Sequence, residues 1–368
     1  MTADILSDRA LNRATLARQL LLRRSNMTVP EAVTHLIGLQ AQLPQNPFVG
    51  LFARLQRFRP EAVSTLLTSR ALVRIVVMRG TIHLVTADDC LLLRPMMQPV
   101  LDAEIARHSE FAPHLVGVDL APVLEVAHAL VRERPLTGPQ LRLALEARFP
   151  DQDAAALAYA CRCHLPMVQV PPRGLWRTSG AVTTTTADHW LGRPLDSAPS
   201  IEAVVLRYFA AFGPASVADL AAWCRLSGLG EVVERLGTAL RPFRSSTGRT
   251  LFDLPEANRP DPETPAPVRF LPEYDNLLLS HANRSRFQRP DARMPEAADR
   301  IVRGTVLHHG FVVATWHLVE GRTGHVLHID PLVALRARER TPIEREGMSL
   351  MRFATDGQGH DEVRIANS

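Results

Sequence analysis

The amino-acid sequence predicts an α+β protein: three tandem winged helix-turn-helix units followed by a small β-rich module. Three observations point there. Runs with helical apolar spacing give way to β-rich stretches three times along the first two thirds of the 368 residues. The phrases "PLTGPQLRLAL" and "GPASVADLAAW" repeat a turn, a cap and an amphipathic helix about 78 positions apart, too long for a solenoid repeat and suited to small tandem domains. Hydrophobic residues make up 46% of the chain but aromatics only 5%, so the core must be mostly Leu, Val and Ala, which favours helices.

In the first unit, Asn12–Leu22 and Val29–Leu39 have helical spacing, and Phe48–Leu55 and Pro60–Thr68 continue it, the last with proline in its first turn. "LVRIVVMRGTIHLV" (Leu72–Val85) then reads as two strands joined near Arg79-Gly80-Thr81. The second unit opens near Ala121 with a helix to about Glu133 and restarts after the capping residue Thr137. It adds a helix over Ala154–His164, and "MVQVPPRGLWRT" supplies strand, Pro/Gly turn and strand. The third unit has helices over Ile201–Phe212, after Ser216 and over Glu231–Leu240, then a hairpin turning at Ser246–Gly248. The acidic, proline-rich "PEANRPDPETPAP" predicts a mobile surface link. Beyond "VRFLPEYDNLLLSHANR", Val302–Val313 and Trp316–Asp330 alternate as strands, and a helix near Pro342–Phe353 closes the chain. The expected boundaries are 1–115, 116–195, 196–256 and 257–368.

The formal charge is +4, and residues 1–90 hold eleven Arg against six acids. A basic first quarter fits a polyanionic partner, and equally a solvated helix face. All basic residues are Arg; the chain has no lysine. Cys90, Cys161, Cys163 and Cys224 form no disulfide framework, and buried free thiols suit them better than a zinc site at Cys161-Arg162-Cys163-His164. The polar start "MTADILSDRALNR" is no signal peptide, and no 18-residue apolar run could span a membrane, so a soluble cytoplasmic protein is expected. No Gly-rich phosphate loop, G-x-S-x-G or H-E-x-x-H occurs, so neither a nucleotide nor another cofactor is expected.

Three places could carry chemistry. Gln40 and Gln42 in "HLIGLQAQLPQNPF" share a side if the chain is extended, as Gly38, Pro44 and Pro47 favour. Glutamine titrates no proton, so the pair is either loop decoration or a device for holding something such as a water. Arg79, Thr81 and His83 lie at the first hairpin's tip and following strand, where a phosphate contact through Arg79 competes with an ordinary β-turn. Five His (His308, His309, His317, His325, His328) crowd 21 positions of the last module. No cysteine accompanies them and adjacent His308 and His309 should face opposite ways on a strand, so DNA contact or plain exposure is favoured over a metal.

Taken together, "GLQAQLPQNPFVGLFARL", "VVMRGTIHLV", "FLPEYDNLLLSHANR" and "RGTVLHHGFVVATW" resemble the AlkZ/YcaQ-like family of bacterial DNA glycosylases, over about residues 10 to 355. The resemblance implies three winged helices and a β-rich module in a C-shaped molecule. It also implies excision of alkylated purines from double-stranded DNA, including unhooking of interstrand crosslinks, in a branch that often protects antibiotic producers. The family's Gln–apolar–Gln motif matches Gln40-Ala41-Gln42, which the resemblance makes catalytic, with Arg79, Thr81, His83, His308 and His309 toward DNA. N7-alkylguanine is already cationic, so its leaving group needs no acid; two amides holding a water near C1′ suffice. Without a lysine the usual Schiff-base nucleophile is missing, and the one remaining amine, the chain terminus on a polar segment, has no evident reason to reach the Gln40–Gln42 loop, so a monofunctional enzyme is expected, acting as a monomer. The rival readings are a winged-helix transcriptional regulator and a drug-sequestering resistance protein.

Overall fold

Capping and proline placement fix most helix starts. Thr28, Thr137 and Ser216 each form a reciprocal capping box with the acidic or amide residue three positions on, starting helices at Val29–His35, Gly138–Arg148 and Val217–Cys224. Proline in the first turn starts Asn46–Arg54, Pro60–Thr68 and Ala121–Glu133. Further helices run over Asp8–Arg18, Ala87–Met96, Gln98–Ala106, Ala154–His164, Ile201–Phe212, Leu229–Leu236 and Ala337–Thr355. The computed structural model describes residues 4–289, 291–292, 303–321, 324–355 and 361–366.

Among the described residues, three sheets organise these helices. The first two units share one six-stranded sheet, in the order Leu39–Gln40, Ile82–Thr86, Leu72–Val76, Met167–Gln169, Thr183–Thr186, Leu136–Thr137. Arg241–Ser245 and Thr250–Asp253 form the third unit's hairpin, extended in parallel by the short strand Ile5–Leu6. The C-terminal module is a five-stranded sheet of Arg269–Leu271, Gly304–His308, Phe311–Glu320, His325–Pro331 and Glu362–Ile365. The Ala337–Thr355 helix packs on it through Ile343, Leu350 and Met351.

Two expectations are corrected. The second unit's returning strand is not in "GLWRT" but begins at Thr183. The intervening Leu175 and Trp176 instead fold over the first unit, where Trp176 meets the rings of Phe48 and Phe353. The proline-rich link is strapped down: Arg13 donates to the Thr264 carbonyl at 2.6 Å, Arg9 to Pro262 at 2.9 Å, and Arg259 holds Asp253. The strand start expected at Val302 lies outside the described residues.

One core crosses the units: Ile37, Val73, Ile75 and Val85 pack with Val204, Tyr208, Phe209 and Phe212. Buried charge ties the same elements together. Arg54 holds Asp275 bidentately at 2.8 and 2.7 Å with both side chains enclosed, and Arg18 holds Asp253 at 2.6 and 2.8 Å. Deleting one partner of such a pair costs about 3–5 kcal/mol, because the other charge stays buried alone. These contacts join the first unit to the last module and the third unit, and so fix what surrounds Gln40.

Candidate active site

Gly38 lets the chain leave the Val29–His35 helix and run along the Ile82–Thr86 strand. Its φ is +85°, and an added Cβ would lie 2.7 Å from Val85 Cγ1 and 3.0 Å from the Leu84 carbonyl, so no larger residue fits. Asn276, from the C-terminal module, donates to the Gly38 carbonyl at 2.7 Å. The next residues are extended. Gln40 pairs with His83, the Ala41 amide donates to the Ile82 carbonyl at 2.7 Å, and buried Arg74 donates to the Ala41 carbonyl at 2.8 Å. The backbone of Gln40-Ala41-Gln42 is therefore held from both sides.

The two glutamine side chains differ. Gln40 is buried; Gln42 is exposed. The Arg79 guanidinium donates to Gln40 Oε1 at 2.7 Å and to the Trp223 carbonyl at 2.7 Å, so it joins the first unit to the third. A guanidinium only donates, so the atom facing it must be the amide oxygen. That leaves Gln40 Nε2, which makes no hydrogen bond to the described residues, as the side chain's open donor. Gln42 Oε1 accepts only a long 3.4 Å contact from the Ile82 amide.

His83 completes the cluster. Its Nε2 lies 3.3 Å from the Arg79 guanidinium and so must accept; its Nδ1 carries the proton and donates to the Thr81 carbonyl at 2.9 Å. Burial, with the Arg79 charge adding, depresses its pKa to about 3, so His83 is neutral at physiological pH. Burial likewise lowers Arg79 to about 10, with Arg225 and Arg284 adding, and it stays charged. Thr81 closes the turn through its hydroxyl, which donates to the Met78 carbonyl at 3.1 Å. Arg79, Thr81 and His83 thus come together with Gln40, and the Arg79 guanidinium is turned inward onto the glutamine.

His308 and His309 sit elsewhere, at the end of Gly304–His308. The opposite-face expectation is corrected: His309 leaves the strand with φ +52° ahead of Gly310, and the two rings meet at 4.1 Å. They line a pocket of about 690 Å³ with Arg269, Arg338 and Arg345, and Glu339 lies 3.9 Å from His308. The basic first quarter is also not one surface. Arg13, Arg18, Arg54 and Arg74 are buried, while Arg9, Arg23, Arg57, Arg59 and Arg70 are exposed. All four cysteines are buried free thiols, and burial pushes Cys161 up to about 12 and Cys163 up to about 11.

The family model of the AlkZ-like DNA glycosylases matches residues 33–353, which include every residue named above from Gln40 to His309. The chain belongs to that family. Its fold matches that of the Streptomyces sahachiroi DNA glycosylase AlkZ, with a TM-score of 0.78 and 20% identity over 98% of this chain and 100% of the other. No curated protein sequence matches the chain significantly. For an AlkZ-like chain, sequence reasoning missed Arg74, Trp223 and Asn276 around the glutamines. Arg74 was visible as a lone cation in the apolar strand "LVRIVV"; nothing local marked the other two.

Proposed function

We propose that this AlkZ-like chain is a monofunctional DNA glycosylase that hydrolyses the N-glycosidic bond of cationic N7-alkylguanine-type lesions. Its substrates on this reading include bulky antibiotic adducts and interstrand crosslinks in double-stranded DNA, and it acts as a monomer. The observation that carries the reading is the Arg79 clamp on Gln40, which holds an otherwise ordinary amide in one orientation beside an exposed Gln42.

The geometry favours a division of labour rather than two equivalent amide oxygens. Gln40 offers its N–H donors to an acceptor on the damaged nucleotide, since Arg79 occupies its oxygen. Gln42, more loosely held, accepts from the water that attacks C1′. Arg79 and His83 act through Gln40 as positioning residues; neutral His83 serves as an acceptor and not as a general acid. Because the cationic base leaves without protonation, such a site selects for lesions over normal purines. The helix–hairpin order of 1–115, 116–195 and 196–256 supports three winged helices, with 257–368 completing a C-shaped cleft around the DNA. An open cleft of that kind could reach a crosslinked base that cannot be fully extruded. His308 and His309, beside Arg338 and Arg345, remain candidates for contact with its backbone.

The test is incubation with N7-methylguanine DNA, with released base weighed by mass spectrometry and strand integrity followed in parallel. The wild type should free the base, leave the strand intact until alkali is added, and give no borohydride-trapped adduct, since no lysine can form a Schiff base. Gln40→Ala/Gln42→Ala should remain folded and lose release. Wild-type release by that double variant would remove both glutamines from the mechanism.

A further inference from the structure

The sheet that carries Gln40 has a second face. Directly paired residues of antiparallel strands share a face, and neighbours along a strand alternate. Gln40 pairs with His83, His83 with Ile75, and Ile75 with Val168, so these lie on one side. Ile82 pairs with Val76, and Gln169 with Arg74 and Thr184, so these lie on the other.

Over that other side, the helices Gly138–Arg148 and Ala154–His164 flank a half-open cavity of about 440 Å³, which Ile75 of the strand also borders. This is within the range of about 300–1,000 Å³ in which proteins hold small molecules. Its wall is apolar, with Val76, Ile82, Leu141, Ala158 and Met167. Phe111 and Tyr159, 4.9 Å apart, present aromatic surface. Three polar groups reach the same space. The Gln169 amide oxygen is buried with no partner among the described residues, an unusual state for a buried polar atom. Arg162 lies 3.4 Å from Glu104, which also accepts the Tyr159 hydroxyl at 2.7 Å. Arg142 has no carboxylate partner among the described residues. The lining therefore combines an apolar body, aromatic rings, an unmatched amide and an excess of positive charge.

We propose that this cavity is a binding site for an aromatic small-molecule anion, separate from the glutamine loop. The rings would pack against Phe111 and Tyr159, the anionic group would meet Arg142 and Arg162, and the Gln169 amide would bond the ligand's edge. Such a ligand sits across the sheet from Gln40 and is no part of the base-release step.

The probe is 8-anilinonaphthalene-1-sulfonate, an aromatic sulfonate that brightens in apolar surroundings, titrated into the full chain. One saturable site is expected, with affinity reduced about tenfold or more in Ala158→Trp, which fills the cavity. Arg142→Gln/Arg162→Gln should weaken the sulfonate about fivefold or more while leaving uncharged N-phenyl-1-naphthylamine unchanged. Release of N7-methylguanine should persist in both variants and reports their folding. If Ala158→Trp misfolds, Val182→Trp at the cavity rim makes the same test. Absence of a single saturable site, or equal sulfonate binding by the folded Trp variant, overturns the proposal; so does an equal loss of both probes in the double Gln variant. A wild type that binds the sulfonate but releases no base would instead defeat the glycosylase reading and leave this site standing.

Discussion

The first hairpin turns at Met78–Gly80 and the third at Ser246–Gly248, and both rely on a glycine in the left-handed region, Gly80 at φ +71° and Gly248 at φ +79°. Their surroundings differ completely. A Cβ on Gly80 would overlap the Glu104 carboxylate, whereas one on Gly248 would meet nothing within 4 Å. In the first turn Arg79 reaches inward to Gln40 and Trp223. In the third, Arg244 folds back on its own turn, to the Gly248 carbonyl at 3.0 Å and Thr250 at 2.9 Å. Local turn chemistry specifies only the reversal of the chain. Whether the tip is exposed or part of a site is decided by what the rest of the chain brings against it.

The largest expected effect tests the inward tip directly. Arg79→Ala frees the Gln40 amide to rotate, and loss of positioning should lower release of N7-methylguanine by about 100-fold. Affinity for undamaged duplex and its dependence on salt should be unchanged, because the guanidinium is spent on protein acceptors. If instead release from bound DNA survives and the salt slope falls by about one contact's worth, Arg79 is a phosphate contact like any exposed tip and the contrast collapses.

Gly80→Ala should come next. Both the left-handed backbone and the displaced Glu104 oppose it, for a loss of about 2–3 kcal/mol in a denaturation experiment. Release should fall with it, because Arg79 is the adjacent residue.

Acid should also find the first hairpin. His83 has a folded pKa near 3 against about 6.5 unfolded, so between these values the unfolded chain binds a proton that the folded chain does not. Stability is therefore full above about pH 6.5 and falls as pH drops, by up to about 1.4 kcal/mol per unit for this residue. His281, buried against the Phe212 carbonyl and lowered mainly by burial, with Arg286 adding, acts in the same direction. Melting temperature measured from pH 7 down to pH 5 should decline, and less steeply in His83→Asn. Base release measured where the protein stays folded should show no ionisation of His83; a release step near pH 6.5 would mean that the ring is exposed and titrates.

Local signals made much of the scaffold legible. Pro60–Thr68, Ala121–Glu133, Ala154–His164 and Ile201–Phe212 have the boundaries their caps, prolines and apolar spacing predict. The Thr137 and Ser216 starts are stated by residues within one turn. The delayed Thr183 strand was not legible, because Trp176 is drawn off to Phe48 and Phe353, rings far along the chain. Nor was the fixed link, which is held by Arg9 and Arg13, more than 250 positions away. At the proposed site, the sequence singles out Gln40, Gln42 and His83, and the fold pairs Gln40 with His83. The direction of Arg79 could not, since its partner Trp223 is 144 residues on. Likewise the charge excess of residues 1–90 is not one surface, because Arg54 and Arg18 are buried on Asp275 and Asp253, partners more than 200 positions away.

The smallest effect is the control that gives the comparison its meaning. Gly248→Ala must place a Cβ in the left-handed region, at a cost of about 1 kcal/mol, but it displaces no neighbour. The third turn has no side chain aimed at the glutamines: Ser245 and Thr247 bond each other at 3.0 Å, and Arg244 is occupied locally. Gly248→Ala should therefore melt slightly earlier and release N7-methylguanine at the wild-type rate. The same substitution at two glycines of near-identical φ would then differ in activity because only one turn is packed onto the Gln40–Gln42 loop. A loss of release in Gly248→Ala comparable to that in Gly80→Ala would show that both tips serve the reaction, and that Arg79's inward contact does not set the first hairpin apart.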